Sequence, residues 1–256
     1  MKIVQVLMSA YNGEKYLREQ LDSILGQDYK RIEVLIRDDG STDETLSILK
    51  EYGEQYENVA YYAGENIGVQ NSFFDLLKHA DKEADYYAFS DQDDVWLPEK
   101  IKRAVELLES EDEKIPLLYA GKTSPVDEQL NVIPMKIRHH DIKPSFGNAL
   151  VENVCTGCTE VFNRELLELV IKKLPGFTVM HDWWLYLTAA AFGKVIYDKK
   201  ECILYRQHAK NQVGMQCTWY DELIKRTKNF RKHSGALREQ AIQFREVYGI
   251  GYKESR

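Results

Sequence analysis

The first half of the chain alternates strand and helix patterns, and this alternation constrains its fold more than any other feature. Short apolar runs rich in Val, Ile and aromatic residues are separated by longer segments in which apolar residues recur at helical spacing. The predicted strands and the clearest helices between them are Ile3–Ser9, Glu14–Leu25, Ile32–Arg37, Val59–Tyr62, Val69–His79 and Ala84–Phe89. Repeated strand–helix units predict an α/β fold with a mostly parallel sheet flanked by helices on both faces.

Polar clusters follow three of the predicted strands. They lie at residues 9–13, 37–41 and 91–94. Ligands of open α/β sheets bind outside the carboxyl ends of the strands. These clusters therefore predict one ligand site at that edge of the sheet.

The third cluster contains three carboxylates, Asp91, Asp93 and Asp94, directly after a buried strand. Such charges repel one another, so a fold keeps them together when a cation relieves the repulsion. Asp91 and Asp93 can face one hard divalent ion, which takes oxygen ligands and binds phosphates. The alternative is a solvated acidic turn before a helix that begins near Glu99.

The first two clusters are suited to a nucleotide. Asp39 can accept a hydrogen bond from a ribose hydroxyl or a base N–H, and Ser41 or Thr42 is expected to cap the helix that follows. The turn at residues 10–13 is small and polar, which permits close approach of a ligand. It is neither a G-x-G-x-x-G fingerprint nor a Walker loop, so a metal at the acidic turn would neutralise the diphosphate.

Composition excludes several classes of protein. The 256 residues carry a formal net charge of −7, whereas nucleic-acid binding favours a basic surface. No signal-peptide pattern and no apolar run of membrane-spanning length occurs, which predicts a soluble cytoplasmic protein. The C-x-x-C pair Cys155 and Cys158 has no second pair, and we interpret both as buried cysteines rather than zinc ligands.

Four segments of the first hundred residues resemble family 2 of the glycosyltransferases. They are Val-Leu-Met-Ser-Ala-Tyr-Asn-Gly (6–13), Arg-Asp-Asp-Gly-Ser-Thr-Asp (37–43), Glu-Asn-Ile-Gly (65–68) and Ser-Asp-Gln-Asp-Asp-Val-Trp-Leu-Pro-Glu-Lys (90–100). The second half resembles a bacterial rhamnosyltransferase-like branch through Thr-Gly-Cys-Thr (156–159), His-Asp-Trp-Trp (181–184) and Tyr-Arg-Gln-His (205–208). The resemblance implies the GT-A fold, which is Rossmann-like, and an inverting transfer of one sugar.

The resemblance also implies the roles of the strand-end residues. Asp93 would bind the metal, Mn²⁺ or Mg²⁺, directly, and Asp91 would contact the ribose or the metal shell. Asp39 would bind the uracil or thymine ring of a UDP- or dTDP-sugar donor. The lining of that nucleotide pocket would be Ala10, Tyr11 and Asn12.

The second half supplies the remaining implied roles. Asp182 lies where the family carries its catalytic base, and His181 replaces the Glu that most members have before it. His208 could complete the metal site, and Arg206 could pair with phosphate oxygens; the alternative is a surface His and a salt-bridged Arg. Of Trp183 and Trp184, one is expected in the core and the other at the acceptor sugar.

We predict one GT-A domain over residues 1–215, with a nucleotide half (1–100) and an acceptor half (101–215), and a helical extension over 216–256. The extension is basic and amphipathic, so it can pack on the domain, contact the inner face of an anionic membrane or pair with a second subunit. The expected acceptor is a lipid-linked or protein-linked glycan of capsule, cell wall or glycoprotein. The alternatives are a sugar nucleotidyltransferase and a non-catalytic carbohydrate-binding scaffold.

Overall fold

The computed structural model describes residues 1–134, 143–207 and 235–249. Within these ranges it contains eight strands and eight α-helices, with a 3₁₀ turn at Gly157–Thr159. The strands are β1 Val4–Ala10, β2 Ile32–Asp38, β3 Val59–Ala63, β4 Tyr86–Ser90, β5 Val95–Trp96, β6 Leu117–Val126, β7 Val161–Asn163 and β8 Lys194–Arg206. The helices are α1 Leu17–Leu25, α2 Thr45–Gln55, α3 Val69–His79, α4 Lys100–Glu109, α5 Phe146–Ala149, α6 Arg164–Ile171, α7 His181–Phe192 and α8 235–248.

The strands form one sheet in the order β3-β2-β1-β4-β7-β6-β8-β5. The first four are parallel, whereas β7 pairs antiparallel with β4 and β6, and β5 pairs antiparallel with β8. β1 is central and almost wholly buried, as expected of a parallel strand covered on both faces. The predicted α/β fold with a mostly parallel sheet is confirmed, and the carboxyl ends of β1, β2 and β4 meet at one edge.

Two apolar cores cover the two faces of the sheet. One includes Leu17, Leu21 and Ile24 of α1 together with Ile48 and Leu49 of α2. The other gathers the aromatic side chains of α3 and α7 with Phe244 of α8. Because α1 to α4 and α6 each present a single apolar stripe, burial of that stripe rather than helix propensity fixes their positions.

The second half differs from the sequence prediction in two places. The sequence pattern at 157–162 predicts a strand, but Gly157–Thr159 forms a 3₁₀ turn and the strand β7 begins only at Val161. The sequence pattern predicts two short strands at 194–197 and 202–206, but these segments form one strand, β8, which pairs with β6 through two register shifts. The four charged residues at 198–201, of which only Asp198 is buried, interrupt the apolar pattern, so the pattern predicts a turn between two strands.

The residues that end α7 and begin α2 also act differently from the prediction. Gly193 directly after the apolar segment 182–192 predicts a left-handed helix end, but its φ is −151°, and glycine is needed there because a Cβ would lie 1.8 Å from the carbonyl oxygen of Pro116. Neither Ser41 nor Thr42 caps α2, which begins at Thr45 without a side-chain cap from the preceding residue. Both residues instead bind the turn after β1.

The described part of the C-terminal extension packs back on the domain. Gln240 is buried, and its Oε1 accepts hydrogen bonds from Thr178 Oγ1 at 2.7 Å and Val179 N at 2.9 Å. Phe244 packs edge-on against Trp184. Among the residues described, no helix is both long and apolar enough to cross a bilayer.

Candidate active site

The turn after β1 is held by the turn after β2. Asn12 has a left-handed backbone with φ of 48°, a conformation that asparagine tolerates better than most residues. Its N–H donates to Ser41 Oγ at 2.9 Å, and its Oδ1 accepts from Thr42 N at 2.8 Å. Gly13 N donates to Thr45 Oγ1 at 2.8 Å. The hydroxyl-rich segment after β2 therefore shapes the predicted nucleotide turn.

The same turn is joined to the acidic loop by Gln92. Its Oε1 accepts from Tyr11 N at 2.8 Å, and its Nε2 donates to Tyr11 O at 2.9 Å. A Cβ on Gly13 would lie 2.2 Å from Gln92 Oε1, so the absence of a side chain at Gly13 makes room for this amide. The middle residue of Asp-Gln-Asp thus fixes the distance between the β1 and β4 ends.

Asp39 lies at the end of β2 and is only 2% exposed. Its Oδ1 accepts from Ile67 N at 2.9 Å and pairs with Arg37, and its Oδ2 accepts from Gly68 N at 3.0 Å. Arg37 also bonds Asp75, Ser72 and the carbonyl oxygen of Glu65. Asp39 therefore organises the Glu-Asn-Ile-Gly turn, and its contact with a nucleobase stays a prediction.

Three potential metal ligands converge after β4. Oxygen atoms of Asp91 and Asp94 and the Sγ of Cys158 lie within 4.8 Å of one another. Burial, followed by the charges of Asp93 and Asp182, raises the pKa of Asp91 to about 7. Burial and the neighbouring carboxylates also raise the pKa of Asp94 well above its usual range. The donors suit a divalent cation, which would relieve the repulsion.

This group differs from the predicted metal set of Asp91, Asp93 and His208. Asp93 does not belong to the three-residue group, and its role as the direct ligand stays a prediction. His208 lies outside the described residues. The sequence pattern places Asp94 in the acidic cluster but not among the predicted metal ligands. Sequence reasoning missed Cys158, because residue 158 reaches this cluster only through the pairing of β4 with β7.

The predicted base, Asp182, lies in the first turn of α7, where the helix dipole favours a negative charge. Its Oδ2 accepts from Asn153 Nδ2 and Gly157 N, both at 3.0 Å, and its Oδ1 accepts from Trp183 N at 2.7 Å. Burial raises the pKa of Asp182 to about 6 despite these bonds. Gly157, which donates to Asp182, directly precedes Cys158 of the three-residue group, so Asp182 lies close to the acidic loop, and its role as the base stays a prediction.

The residues beside Asp182 have separate roles. His181 stacks on Phe73 with ring centroids 3.9 Å apart, and burial lowers its pKa to about 3, so it is a neutral core residue. Trp184 is fully buried against α8 and is the core member of the tryptophan pair. Trp183 is partly buried, and its Nε1 donates to Ala149 O at 2.6 Å. Trp183 is thus the remaining candidate for sugar contact.

Arg206 lies at the end of β8 and is 1% exposed. It bonds residues 93 and 94 of the acidic loop as well as groups on α1 and in the turn after β6. The structure thus places Arg206 against the acidic loop of the predicted site, buried between this loop, α1 and the turn after β6. Phosphate binding by Arg206 stays a prediction.

Two further residues of the site were missed. Gln92 could have been found from its place between two motif carboxylates, because an uncharged polar residue there lowers the local repulsion. Asn153 carries no signal in the sequence, since it becomes a partner of Asp182 only when the loop before the 3₁₀ turn packs on α7.

Comparisons with known proteins identify the family and the fold of the chain. The chain is 33% identical over 246 residues to the dTDP-rhamnosyl transferase RfbG of Shigella flexneri, a match that covers 88% of this chain and 81% of RfbG. A solved Staphylococcus aureus TarS fragment (1–349) in complex with UDP-GlcNAc has a TM-score of 0.62 and 17% identity. That match covers 97% of this chain and 73% of the fragment.

A second solved structure shows the same fold. The mannosyltransferase PcManGT of Pyrobaculum calidifontis, in complex with GDP-Man and Mn²⁺, has a TM-score of 0.61 and 19% identity, covering 98% of this chain and 76% of that chain. The chain spans 44% of the longer TarS structure. The profile of glycosyl transferase family 2 matches residues 5–170. The chain therefore belongs to glycosyl transferase family 2 and has the GT-A fold of the solved glycosyltransferases that it resembles.

Proposed function

We propose that this glycosyltransferase moves one sugar from a UDP- or dTDP-sugar to a glycan acceptor, with inversion and with a divalent metal ion. The observation that carries the proposal is that the 3₁₀ turn links Asp182 to the acidic loop. Gly157 N donates to Asp182 Oδ2 at 3.0 Å, and the Sγ of the next residue, Cys158, lies within 4.8 Å of oxygen atoms of Asp91 and Asp94. An inverting transfer needs a base for the acceptor hydroxyl and a positive charge for the leaving diphosphate. In this site Asp182 is the candidate base, and the carboxylates of the acidic loop are candidate ligands for a metal ion that would supply the positive charge.

Asp182 is the proposed base. Its pKa of about 6 leaves it ionised at neutral pH, yet makes it a stronger base than an ordinary aspartate. The bonds from Asn153, Gly157 and Trp183 fix the carboxylate, so that a bound hydroxyl meets it in one orientation. In the proposed mechanism Asp182 takes the hydroxyl proton as the acceptor oxygen attacks the anomeric carbon opposite the leaving diphosphate.

Asp91 would hold the metal together with Asp93 or Asp94, and His208 is a further proposed ligand. Mn²⁺ or Mg²⁺ bound there would stabilise negative charge on the leaving diphosphate. That PcManGT is described in complex with GDP-Man and Mn²⁺ supports a divalent ion in the proposed reaction. Arg206, which bonds Asp93 and Asp94 of this loop, is near enough to be considered as a phosphate ligand.

The nucleoside would lie against the turn of Ala10, Tyr11 and Asn12, with Asp39 beneath it. Support comes from the rigidity of that turn and from the 45% exposure of Tyr11, which leaves its ring available for stacking. A dTDP-sugar is favoured by the similarity to RfbG, a dTDP-rhamnosyl transferase by name.

The acceptor would be a lipid-linked or protein-linked glycan in surface polysaccharide or glycoprotein synthesis, contacted by Trp183. The name of the Bacillus subtilis relative TuaG, a putative teichuronic acid biosynthesis glycosyltransferase, supports a surface glycan. A place in the cytoplasm at the inner membrane face, membrane contact and oligomer formation through the extension belong to the same proposal.

A donor panel tests the proposal. UDP-glucose, UDP-galactose, UDP-N-acetylglucosamine and dTDP-rhamnose would each be incubated with the protein and Mn²⁺, Mg²⁺ or EDTA, and binding and hydrolysis would be measured. We expect turnover of one donor with metal and its loss in EDTA. Turnover that survives EDTA contradicts the metal dependence, and binding of no donor under any condition favours a scaffold.

A further inference from the structure

Arg206 is one of the largest fully buried side chains of the protein. A buried guanidinium is stable only when acceptors surround it, because it keeps its charge at any relevant pH. All three nitrogen atoms of the guanidinium, Nε, Nη1 and Nη2, have acceptors within the protein. The backbone N of Arg206 has one as well.

Two of these bonds end on the acidic loop. The backbone N–H of Arg206 donates to Asp94 Oδ1 at 3.0 Å, and its Nε donates to the carbonyl oxygen of Asp93 at 2.8 Å. The main-chain bond orients the carboxylate of Asp94, a member of the candidate metal group. The bond from the guanidinium fixes the peptide between the two aspartates. The bonds therefore act on the direction in which the loop presents its oxygens.

The other contacts anchor the guanidinium away from the loop. Nη1 donates to the carbonyl oxygen of Glu128 at 2.6 Å, and Nη2 pairs with Glu19 on α1. The guanidinium carbon also lies 4.5 Å from the ring centroid of Tyr16. A planar fork held on one side by α1 and the turn after β6 is a rigid brace for whatever it holds on the other side.

We propose that Arg206 is a positioning residue that pre-orients the Asp91–Asp94 loop for its metal ion, rather than a ligand of the donor diphosphate. The inference deepens the proposed function and rests on it. Without this brace the carboxylates, which repel one another, would move apart, and the ion would have to draw them together at the expense of its affinity.

The test compares R206K with R164K. Lysine keeps the positive charge at residue 206 but cannot form the Nε, Nη1 and Nη2 bonds together. Arg164 is the matched control, because its guanidinium also holds backbone carbonyl oxygens, those of Glu83 and Ala84, at the opposite end of β4. Mn²⁺ affinity would be measured without donor from the electron paramagnetic resonance signal of the free aqua ion.

We expect R206K to raise the Kd for Mn²⁺ at least tenfold, about the effect of losing an outer-shell partner of a metal ligand, and R164K to leave it within about twofold. At saturating Mn²⁺ the donor KM of R206K should return to within about threefold of the wild-type value, because the brace acts through the metal. A diphosphate ligand would instead raise the donor KM at every metal concentration.

The outcomes separate the inference from the function. A wild-type protein that binds Mn²⁺ and an R206K variant that binds it equally well overturn the inference alone. A wild-type protein that binds no Mn²⁺ overturns the metal dependence and the inference together. If R206K does not fold, E19Q replaces it: Glu19 is about half exposed, and loss of its charge frees one arm of the guanidinium. An unchanged Mn²⁺ affinity in E19Q then counts against the brace.

Discussion

The turns after β1 and β2 and the pocket around Asp182 lie at the same sheet edge but are built in opposite ways. The turns are joined mainly by bonds between uncharged groups, such as Asn12 to Ser41 and Gly13 to Thr45. The pocket contains buried acids with raised pKa values. In the described part of the chain, neither carboxyl oxygen of Glu160 has a hydrogen-bond partner, and the same holds for His181 Nδ1.

The hydrogen bonds of the turns are satisfied within the protein, whereas the charges of the pocket need a ligand to relieve their repulsion. A satisfied network of neutral bonds has its shape before any ligand arrives. Buried like charges are costly until a cation or a reacting hydroxyl meets them, and such perturbed groups concentrate at functional sites. Changes in the pocket should therefore alter chemistry, whereas changes in the turns should alter binding.

The largest effect is expected from D182N. Loss of the base should reduce kcat about a thousandfold, the usual contribution of general base catalysis, while the Kd for UDP or dTDP stays within about threefold. Isothermal titration and a sugar-transfer assay would measure the two quantities. D182A is the companion variant, because it places no amide N–H against the Trp183 N–H that now donates to Asp182. Full activity in both variants would refute the base.

The pH profile of the wild-type enzyme should report the same group. Asp182 must be ionised to accept a proton, and burial raises its pKa to about 6. The value of kcat/KM should therefore rise with pH up to about 6 and level off above it. A steady-state profile at saturating metal measures this limb, and D182A should lack it. A rate independent of pH between 5 and 8 would assign the proton transfer to another residue.

A smaller, binding effect is expected from G13A. The new Cβ displaces Gln92 and removes its two bonds to Tyr11, each contributing about 1 kcal/mol. Nucleotide affinity should fall about tenfold, with little change in kcat at saturating donor. G147A is the control, because among the described residues no atom lies within 4 Å of its added Cβ. Equal nucleotide affinity of G13A and wild type would show that the turn keeps its shape without the amide.

The smallest effect is expected from H181F. Phenylalanine keeps the stack on Phe73 and the edge contact with Phe89 and removes a buried nitrogen without a partner. Activity should change by less than about threefold, and the Tm should stay equal or rise, since similar-sized apolar exchanges are well tolerated. A tenfold loss of activity with an unchanged Tm would place His181 in the chemistry.

How much the sequence predicts follows the same division. The strand–helix units of the first half were predictable because each carries its own period, as α3, Val69–His79, illustrates. Asp182 and the acidic loop could be singled out because their motifs are local in the sequence, and their roles stay predictions. The partnership of Asp91 with Cys158 and that of Asp182 with Asn153 were not, because each joins segments that only the completed fold brings together. The sequence predicts two strands in place of β8, because the charged residues in the middle of β8 interrupt its apolar pattern.

The close approach of Gln92 to Gly13 constrains which residues can replace either of them. A side chain at one position and the amide at the other exclude each other, so substitution at either position changes the constraint on its partner. We expect the two positions to covary among relatives. Any chimera that exchanges the nucleotide turn to change donor specificity must transfer both residues, although they lie on different strand ends.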